Sequence, residues 1–508
     1  MRPPLHTLTR LLLGLLIGLG TCFITPQALA QDFMQVPNLY TRSPEVFRAI
    51  FERARCETVA GIIMGDSQET CPGGAGAIYI PRFQFEFWDR YGNAPQTPLA
   101  PMAASYGTSP VYADWLLRVA NASPGMTGSR LQGSALPPGI SAGATSTLNG
   151  SNVNNNQWYA QLVMLQQNAA DVHPATNLRG GTYFHLSPQV YVDVFAATNL
   201  SSGELRVDAS FSPTSAPSYF VPTVATFFTS MGLQDPLPAI RSQRLGPLPF
   251  GPSGYLQIAI SGTDPAKLTD VIGARFVNTA RPEGWTFTSL SAGGYAVDDA
   301  LTRHGDSGPV LAALNPDVLL ISFGANDCGR GVTADQFQAE ISLLIEFVRS
   351  STRPDLPVIL LTDPFRYGLT PAFQEQHDLY PRAMYNIALQ DPLVCAVNSR
   401  RLTHEFGWTP TSGTTYLSDN VHYTAAGAFA KSRLEASALF DAFLPPPLCD
   451  PDLNQDGNVD QDDVTYLINV VGGGQNPTGI DPDFNHDGNA DQDDVNALLQ
   501  RVGGGDCP

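Results

Sequence analysis

Two long apolar runs that stop at glycine turns constrain the fold of this chain more than any other feature. The first is TVAGIIMGD at residues 58–66, and the second is PDVLLISFGAND at residues 316–327. Strands that are apolar on both faces occur mainly in parallel sheets, where helices cover both sides. The runs therefore predict a buried parallel sheet.

Outside these two runs, the sequence predicts helices that alternate with further strands. A helix is expected at residues 82–91, and Thr333 with Gln336 forms a capping-box pattern that opens another. Two more helices are expected near residues 375–391 and 424–443. Further strands are expected in three runs: WTFTSLS at 285–291, PVILLTDP at 357–364 and LVCAVNS at 393–399. The pattern indicates an α/β, three-layer fold with a mainly parallel sheet.

A segment with a different composition and hydrophobic pattern interrupts the alternation of strands and helices. Residues 96–283 are rich in Pro, Gly, Ser, Thr and Asn and carry alternating runs such as QVYVDVFA, ELRVDASF, YLQIAISG and GARFVN. Alternation bounded by turn residues is typical of an antiparallel β-sandwich. We expect an inserted β-rich domain, with carbohydrate binding as a hypothesis for its role, between the α/β segments 31–95 and 284–443.

The charge and the N-terminus bear on partners and location. The formal net charge is −19 and the chain has only two lysines, Lys267 and Lys431, which argues against nucleic-acid or anionic-membrane binding. Residues 1–30 read as a signal peptide, with LLLGLLIGLG followed by a small-residue cleavage site near Ala30. Secretion, outside the cell or into a periplasm, and no membrane span are therefore expected.

Candidate catalytic residues follow the predicted strands, because ligands of parallel sheets bind beyond the carboxyl ends of strands. Ser67 follows the first strand, Gly294 the second and Asn326 the third, while Asp419 and His422 precede the last helix. A serine hydroxyl needs a base to act as a nucleophile. His422 is the candidate base, and Asp419 would hold its tautomer. The backbone N–H groups of Ser67 and Gly294 and the Asn326 amide would stabilise an oxyanion.

These residues resemble the four sequence blocks of the SGNH, or GDSL-type, esterases. The blocks are Gly65-Asp66-Ser67, Gly294, Gly324-x-Asn326-Asp327 and Asp419-x-x-His422, in the family's order. The resemblance implies a flavodoxin-like hydrolase domain with catalytic Ser67 and His422 and an oxyanion hole at Gly294 and Asn326. The first two blocks are much farther apart here than in the family. Gln68 replaces the leucine common in lipase-like members, which favours carbohydrate esters.

Alternative interpretations exist for several of these residues. Ser67 could be a turn serine, and His404, beside Glu405, is the main rival of His422. Gly293 competes with Gly294, which is preferred for its spacing to the following helix. A second Gly-Asp-Ser-Gly at residues 305–308 resembles the nucleophile motif of chymotrypsin-like proteases, but Ser307 lacks the surrounding short strands of such a barrel.

The tail contains an internal repeat after the LPPPL linker at residues 444–448. Residues 452–474 recur at residues 483–505, and each copy places oxygen ligands at positions 1, 3, 5, 7, 9 and 12 of an EF-hand-like calcium loop. The repeat resembles a type I dockerin, which implies two structural Ca²⁺ ions and a cohesin-like partner. A calcium-stabilised terminal module without a partner is equally compatible. The candidate ligands are Asp452, Asn454, Asp456, Asn458, Asp460 and Asp463, and then Asp483, Asn485, Asp487, Asn489, Asp491 and Asp494.

The cysteines are expected to form disulfides rather than metal sites, since no Cys-x-x-Cys motif occurs. Cys449 and Cys507 bracket the tail of residues 449–508 and are expected to pair. The remaining Cys56, Cys71, Cys328 and Cys395 allow three pairings, among which Cys71 with Cys328 is favoured.

Together these patterns predict a secreted serine esterase that removes O-acetyl groups from a polysaccharide or another carbohydrate ester, with no cofactor in catalysis. The alternatives are a lipase or arylesterase of the same fold, and a non-catalytic binding protein docked on a scaffold.

Overall fold

The structure is a computed structural model of the 508-residue chain. It describes residues 32–66, 68–69, 79–91, 95–96, 100–101, 117–120, 126–127, 146–149, 161–167, 189–198, 204–212, 227–233, 239–249, 254–262, 268–279, 282–291, 294–303, 308–366, 369–409, 413–419, 421–444, 451–456, 458–478, 480, 482–484 and 489–503. The predicted signal peptide, the LPPPL linker beyond Leu444 and the predicted Cys449–Cys507 pair lie outside these ranges.

A mixed sheet of six strands forms the centre of the α/β part. Its strands are β1 (Leu39–Thr41), β2 (Thr58–Gly65), β3 (Gly284–Ser289), β4 (Val318–Ser322), β5 (Val358–Leu361) and β6 (Val394–Val397). They stand in the order β1-β6-β5-β4-β2-β3, with β2 to β6 parallel and only β1 antiparallel to its neighbour. The five parallel strands therefore have the flavodoxin-like order, which has a switch point between β2 and β4. The sequence pattern did not predict the short edge strand β1.

Helices connect these strands. After a 3₁₀ turn at Asp32–Gln35, they are α1 (Pro44–Arg53), α2 (Tyr79–Tyr91), α3 (Val297–Arg303), α4 (Gly308–Leu314), α5 (Ala325–Gly329), α6 (Ala334–Ser351), α7 (Pro371–Gln390), α8 (Ser399–Glu405), α9 (Gly413–Tyr416) and α10 (Ala425–Phe443). The predicted helices at 82–91, 375–391 and 424–443 correspond to α2, α7 and α10.

Alternating side chains of the strands divide the core into two layers. Ile63 of β2 lies in a cluster with Phe51 of α1 and Phe87 of α2. Its neighbour Ile62 lies in a second cluster with Leu344 of α6. Successive strand residues point to opposite faces of a sheet, so helices cover both faces, as the apolar runs predict.

Threonine caps fix the starts of three helices near the carboxyl edge of the sheet. The hydroxyl of Thr333 accepts a hydrogen bond from the backbone N–H of Gln336 at 3.3 Å, which confirms the cap predicted for α6. The side chain of Gln336 bonds Glu340 instead of returning to Thr333, so the reciprocal half of a capping box is not formed there. Thr370 and Thr424 cap α7 and α10 in the same way.

Between β2 and β3 the described strands form two antiparallel sheets. The four alternating runs quoted from the sequence all lie in these strands. Whether the sheets form a carbohydrate-binding sandwich stays a prediction. One sheet contains Leu117–Ala120, Gln161–Gln167, Glu204–Ser212, Phe227–Gly232 and Gly254–Gly262, and the other contains Ala100–Pro101, Met126–Thr127, Ser146–Asn149, Gln189–Thr198, Ala239–Pro249 and Leu268–Asn278.

The tail folds around two helices, α11 (Gln461–Val471) and α12 (Gln492–Val502). Val464 and Leu467 of α11 pack with Val495 and Leu498 of α12 in a small apolar core. Each helix begins with a capping box, in which the carboxylate at the last ligand position, Asp463 or Asp494, accepts a hydrogen bond from the backbone N–H of the N-cap residue, Asp460 or Asp491. Among the described residues, no helix combines the length and apolar character needed to cross a bilayer.

Candidate active site

Three of the predicted site residues follow strands of the parallel sheet in the chain: Ser67 follows β2, Gly294 follows β3 and Asn326 follows β4. Ser67, the predicted nucleophile, lies outside the described residues, but its neighbours Asp66 and Gln68 are described. The carboxylate of Asp66 is fully buried, and its Oδ1 accepts a hydrogen bond from the backbone N–H of Gln68 at 2.8 Å. Burial raises the pKa of Asp66 well above its usual value, and the nearby carboxyl of Glu69 raises it further. This hydrogen bond links the two residues that flank position 67.

Asn326 joins three of the predicted segments. Its Nδ2 donates to the backbone carbonyl of Tyr295 at 2.9 Å and to Oδ2 of Asp66 at 3.3 Å. Tyr295 follows Gly294, and Asp66 precedes Ser67. The amide therefore lies where the ends of β2, β3 and β4 meet, as expected at the switch point.

Gly294 adopts a backbone conformation that disfavours other residues. Its φ is +79°, and a Cβ built there would meet nothing within 4 Å, so glycine is required by the dihedral rather than by space. Its carbonyl accepts a hydrogen bond from Arg330 at 2.7 Å, and Arg330 also pairs with Asp299 at 2.5 Å. Arg330 was not singled out from the sequence, because an arginine in a turn carries no signal of such a contact.

Asp327 has a structural role. Its buried carboxylate accepts a hydrogen bond from the backbone N–H of Val297 at 2.9 Å, at the start of α3. Burial raises its pKa to about 7. Asp327 thereby ties the segment after Gly294 to the segment that carries Asn326.

His422 and Asp419 form a hydrogen-bonded pair. Nδ1 of His422 lies 2.7 Å from Oδ2 of Asp419, while Oδ1 of Asp419 accepts from the backbone N–H groups of Val421 and His422, both at 2.7 Å. Burial raises the pKa of Asp419, but the hydrogen bonds from His422 and Val421 outweigh it and leave the pKa below its usual value. The carboxylate therefore stays ionised and holds the ring by Nδ1, which leaves Nε2 as the basic ring atom.

Tyr423, next to His422 in the chain, is electrostatically coupled to carboxyl groups that lie close to Ser67 in the chain. The Tyr423 ring is buried next to His422 in the chain. Burial raises its pKa, and the carboxyl groups of Glu69, Asp363 and Asp66 raise it further, so all three lie within electrostatic range of its hydroxyl. A chain neighbour of His422 and a chain neighbour of Ser67 are thus both buried and electrostatically coupled.

Close packing holds the histidine loop against α10. The backbone N–H of Ser418 donates to the carbonyl of His422 at 2.7 Å, and that of Thr424 donates to the carbonyl of Tyr416 at 2.8 Å. A Cβ on Gly427 would stand only 2.0 Å from that Tyr416 carbonyl oxygen. The loop can approach the helix this closely because residue 427 has no side chain.

The competing histidine and the protease-like motif gain no support from the described residues. His404 packs edge-on against the rings of Phe33 and Phe365, which is an aromatic contact rather than a catalytic pair. Ser307 and Gly293 lie outside the described residues.

The cysteine prediction requires a correction. Cys56, Cys328 and Cys395 are free thiols, so the favoured pairing of Cys328 with Cys71 is wrong. Cys328 is buried at the end of α5, where its Sγ donates to the carbonyl of Phe373 at 3.1 Å. Free cysteine is among the most buried residue types, and Cys328 and Cys395 fill apolar layers here.

Two predicted ligands of the first tail loop bond to the backbone of the same loop. Oδ1 of Asp452 and Oδ1 of Asn454 both accept from the backbone N–H of Asp456, at 3.1 Å and 2.8 Å. Asp463 and Asp494, at the last ligand position of each repeat, are fully buried. Within the described residues no three His, Cys, Asp or Glu side chains are grouped as metal ligands, and Asn485 and Asp487 lie outside those residues. Carboxylate and amide oxygens are the donors that calcium prefers, so the residue types fit this ion.

Comparison with known families identifies one domain type. Residues 255–428 match the model of the GDSL-like lipase/acylhydrolase family. The matched span contains Gly294, Asn326, Asp419 and His422 but not Ser67 or strand β2. Comparison with curated protein sequences gives no match.

Among solved structures, a peptidoglycan O-acetylesterase is similar in fold. It is 14% identical, with a TM-score of 0.50, and the alignment covers 80% of this chain and 99% of that chain. The segments 31–95 and 284–443 make up less than half of this chain, so the likeness extends into the antiparallel sheets. An acetylxylan esterase from Geobacillus stearothermophilus, 21% identical, aligns over 32% of this chain and 74% of its own with a TM-score of 0.26.

Proposed function

We propose that this chain, a carboxylic ester hydrolase with a GDSL-like acylhydrolase domain, is a secreted enzyme that removes O-acetyl or other short acyl groups from carbohydrate esters. The observation that carries this proposal is the Asp419–His422 pair, whose Nδ1 to Oδ2 distance is 2.7 Å. The proposal is supported by the raised pKa of the buried Tyr423, next to His422 in the chain, to which the carboxyl group of Asp66, next to Ser67 in the chain, contributes.

In the proposed mechanism Ser67 attacks the ester carbonyl and His422 takes its proton. The resulting oxyanion accepts hydrogen bonds from the backbone N–H groups of Ser67 and Gly294 and from the amide of Asn326. Of the two hydrogen bonds that Asn326 donates, the longer one to Asp66, at 3.3 Å, is the one exchanged for the oxyanion. His422 then donates its proton to the departing sugar oxygen, and water hydrolyses the acyl-enzyme.

The carbohydrate substrate rests on two observations. Gln68, 6% exposed, occupies the position after the predicted nucleophile, where lipase-like members have leucine. The similar fold of a peptidoglycan O-acetylesterase, which extends over most of this chain, also favours an O-acetylated glycan. A lipase or arylesterase of the same fold is the second candidate, supported by the family match itself.

Hydrolysis of short-chain chromogenic esters tests the mechanism. We expect activity in the wild type and a loss of several orders of magnitude in Ser67→Ala and His422→Ala, since the two side chains act as a unit. Equal turnover in the wild type and Ser67→Ala would reject Ser67 as the nucleophile. Acetate release from acetylated peptidoglycan and acetylated xylan then separates the substrates, and a preference for long acyl chains would favour the lipase.

The tail is proposed to bind two Ca²⁺ ions through the two loops and to dock a cohesin-like partner. The oxygen-only donor set and the buried carboxyl groups of Asp463 and Asp494 support calcium. Adding a chelator should lower the melting temperature of the full chain, and Ca²⁺ should restore it. A melting temperature that is indifferent to both would reject the calcium loops.

A further inference from the structure

Lys431, one of only two lysines in the chain, is completely buried. Its ammonium lies 3.0 Å from Oε1 of Glu435 and 3.5 Å from Oε1 of Glu69, and 3.9 Å from the centre of the Tyr79 ring. Burying a charge costs free energy unless it is paired and hydrogen-bonded. This ammonium is therefore kept in the core by a specific set of partners.

The partners belong to the elements that carry the predicted catalytic residues. Glu69 follows Ser67 by two positions, and Ser322 ends β4, which leads to Asn326. The Ser322 hydroxyl donates to Oε1 of Glu69 at 2.9 Å and lies 3.5 Å from the Lys431 ammonium. Lys431 itself lies in α10, which begins just after His422. One ammonium thus connects the Ser67 turn, the strand before Asn326 and the helix after His422.

Gly65 and Glu69, on either side of Ser67 in the chain, pack closely against this cluster. A Cβ on Gly65 would stand 2.5 Å from the Ser322 carbonyl oxygen and 2.8 Å from Oε2 of Glu69. The backbone carbonyl of Glu69 accepts a hydrogen bond from Ser289 of β3 at 2.9 Å. The absence of a side chain at Gly65 therefore leaves room for the Glu69 side chain, which contacts Ser322 of β4 and Lys431 of α10, while β3 holds the Glu69 backbone.

Glu435 extends the cluster to two more helices. Its carboxylate accepts hydrogen bonds from the hydroxyls of Tyr79, in α2, and Ser399, in α8. Both of its oxygens are engaged, and the residue is fully buried. Through Glu69, Ser322 and Glu435, the position of Lys431 is fixed relative to the sheet and to the helices α2 and α8.

We propose that the buried cluster of Lys431, Glu69, Glu435 and Ser322 positions the Ser67 turn relative to His422, with Lys431 as the positioning residue of the esterase site. This inference rests on the proposed function. None of the four side chains needs to touch substrate. They set the separation of the nucleophile and the base.

The charges of the cluster are consistent with this role near neutral pH. Burial lowers the pKa of Lys431, but its acidic surroundings, chiefly the carboxylate of Glu435, outweigh it and leave the pKa above its usual value. Burial raises the pKa of Glu69 to about 8. The ammonium is therefore paired with Glu435 while Glu69 retains its proton.

A charge-balanced double variant separates positioning from stability. Lys431→Met leaves Glu435 buried without a counter-ion, so we expect it to lower the melting temperature. Lys431→Met with Glu435→Gln removes both charges, so the melting temperature should recover. Because a shift of about 1 Å in catalytic geometry can cost about 10²-fold in rate, we expect kcat of the double variant to stay about 10²-fold below wild type with KM unchanged.

Ser322→Ala tests the same idea without removing a charge. It deletes the hydroxyl between Glu69 and Lys431 and should lower kcat, less than the double variant does, with little change in KM or melting temperature. Arg401→Met is the matched control, because Arg401 forms an exposed pair with Glu405 in α8 at 2.8 Å. It should leave kcat unchanged.

The outcomes are distinguishable. Wild-type kcat in both Ser322→Ala and the double variant would overturn the positioning role while an inactive Ser67→Ala still supported the esterase. Wild-type activity in Ser67→Ala would instead remove the proposed function. A fall in kcat in both cluster variants, with Arg401→Met unaffected, supports positioning.

Discussion

At the scale of single residues, the exposed Asp419–His422 pair contrasts with the buried groups around it. The side chains of Asp419 and His422 are 56% and 33% exposed. Exposed ion pairs contribute little to folding. The pair is therefore better explained by chemistry than by stability, whereas the buried carboxylate of Asp327 fixes the start of a helix.

Replacing Asp419 by Asn should separate these two effects. The Asn oxygen can still accept from the N–H groups of Val421 and His422, so the loop should keep its shape. Its amide would donate to Nδ1, however, and place the ring proton on Nε2, where it blocks proton transfer from Ser67. We expect kcat on a short-chain ester to fall by about 10²–10⁴-fold, while the melting temperature barely changes.

Glu405→Gln provides the control for Asp419→Asn. It weakens another exposed pair, Arg401–Glu405, away from the predicted site. Both variants should be equally stable, but only Asp419→Asn should lose activity. If Asp419→Asn kept wild-type kcat, the assignment of His422 as the base would fail.

At the scale of elements, the joint between the histidine loop and α10 is the most constrained contact near the site. Gly427 lies in the first turn of α10, where a Cβ would overlap the Tyr416 carbonyl oxygen at 2.0 Å. Because this contact is with backbone, no side-chain rotation can relieve it. The position of the loop that carries His422 therefore requires a glycine at residue 427.

Gly427→Ala should push the loop away from the helix. We expect a loss of about 1–3 kcal/mol in the free energy of unfolding, as for other overpacked sites, together with a fall in kcat as His422 moves. Gly232→Ala is the matched control, because a Cβ there would meet nothing within 4 Å and its φ is not positive. Unchanged stability in Gly427→Ala would show that the contact is looser than the structure indicates.

Elements with strong periodicity were predictable from the sequence, and long-range polar contacts were not. The apolar run at 58–66 predicted β2, and the helix expected at residues 82–91 corresponds to α2. The strand order and the Lys431 cluster follow from packing between residues up to 362 positions apart, which no local pattern records. The burial of Glu69 was not predicted for the same reason: a glutamate in a polar turn is expected to be solvent-exposed, and only the packing of α10 buries it.

The Cys328 prediction failed for a related cause. Proximity of Cys71 and Cys328 to the catalytic blocks suggested a bridge, but position in a block does not determine where a side chain points. Cys328 turns into the apolar layer beneath α7, where it bonds the Phe373 carbonyl. Burial of this kind depends on the packing of α5 against α7, which the sequence alone does not specify.

At the scale of the whole molecule, the acidity is not confined to the surface. The formal net charge is −19. Four carboxyl groups, those of Asp66, Glu69, Asp327 and Asp363, are buried near the carboxyl edge of the parallel sheet. Each has a raised pKa for which burial is the largest cause. The stability of this chain should therefore depend on pH through the titration of buried carboxyl groups.

The free energy of unfolding should fall as the pH rises from about 5 to about 8. Burial raises the pKa of Glu69 to about 8, that of Asp327 to about 7 and that of Asp363 to about 6, so the folded chain keeps protons that the unfolded chain has lost. Each such group contributes about 1.4 kcal/mol per pH unit until its folded pKa is passed. Denaturant unfolding across this pH range measures the slope.

His377 opposes this trend but cannot reverse it. Burial lowers its pKa below 6.5, so the unfolded chain takes up a proton there that the folded chain does not, and stability falls as the pH drops below about 6.5. One histidine then acts against four carboxyl groups, and above about pH 6.5 it no longer contributes. Glu69→Gln, which mimics the protonated acid, should flatten the slope between about pH 6.5 and about pH 8. A slope of unchanged steepness in that variant would mean that Glu69 is ionised in the folded chain, and that its charge, with that of Glu435, balances Lys431.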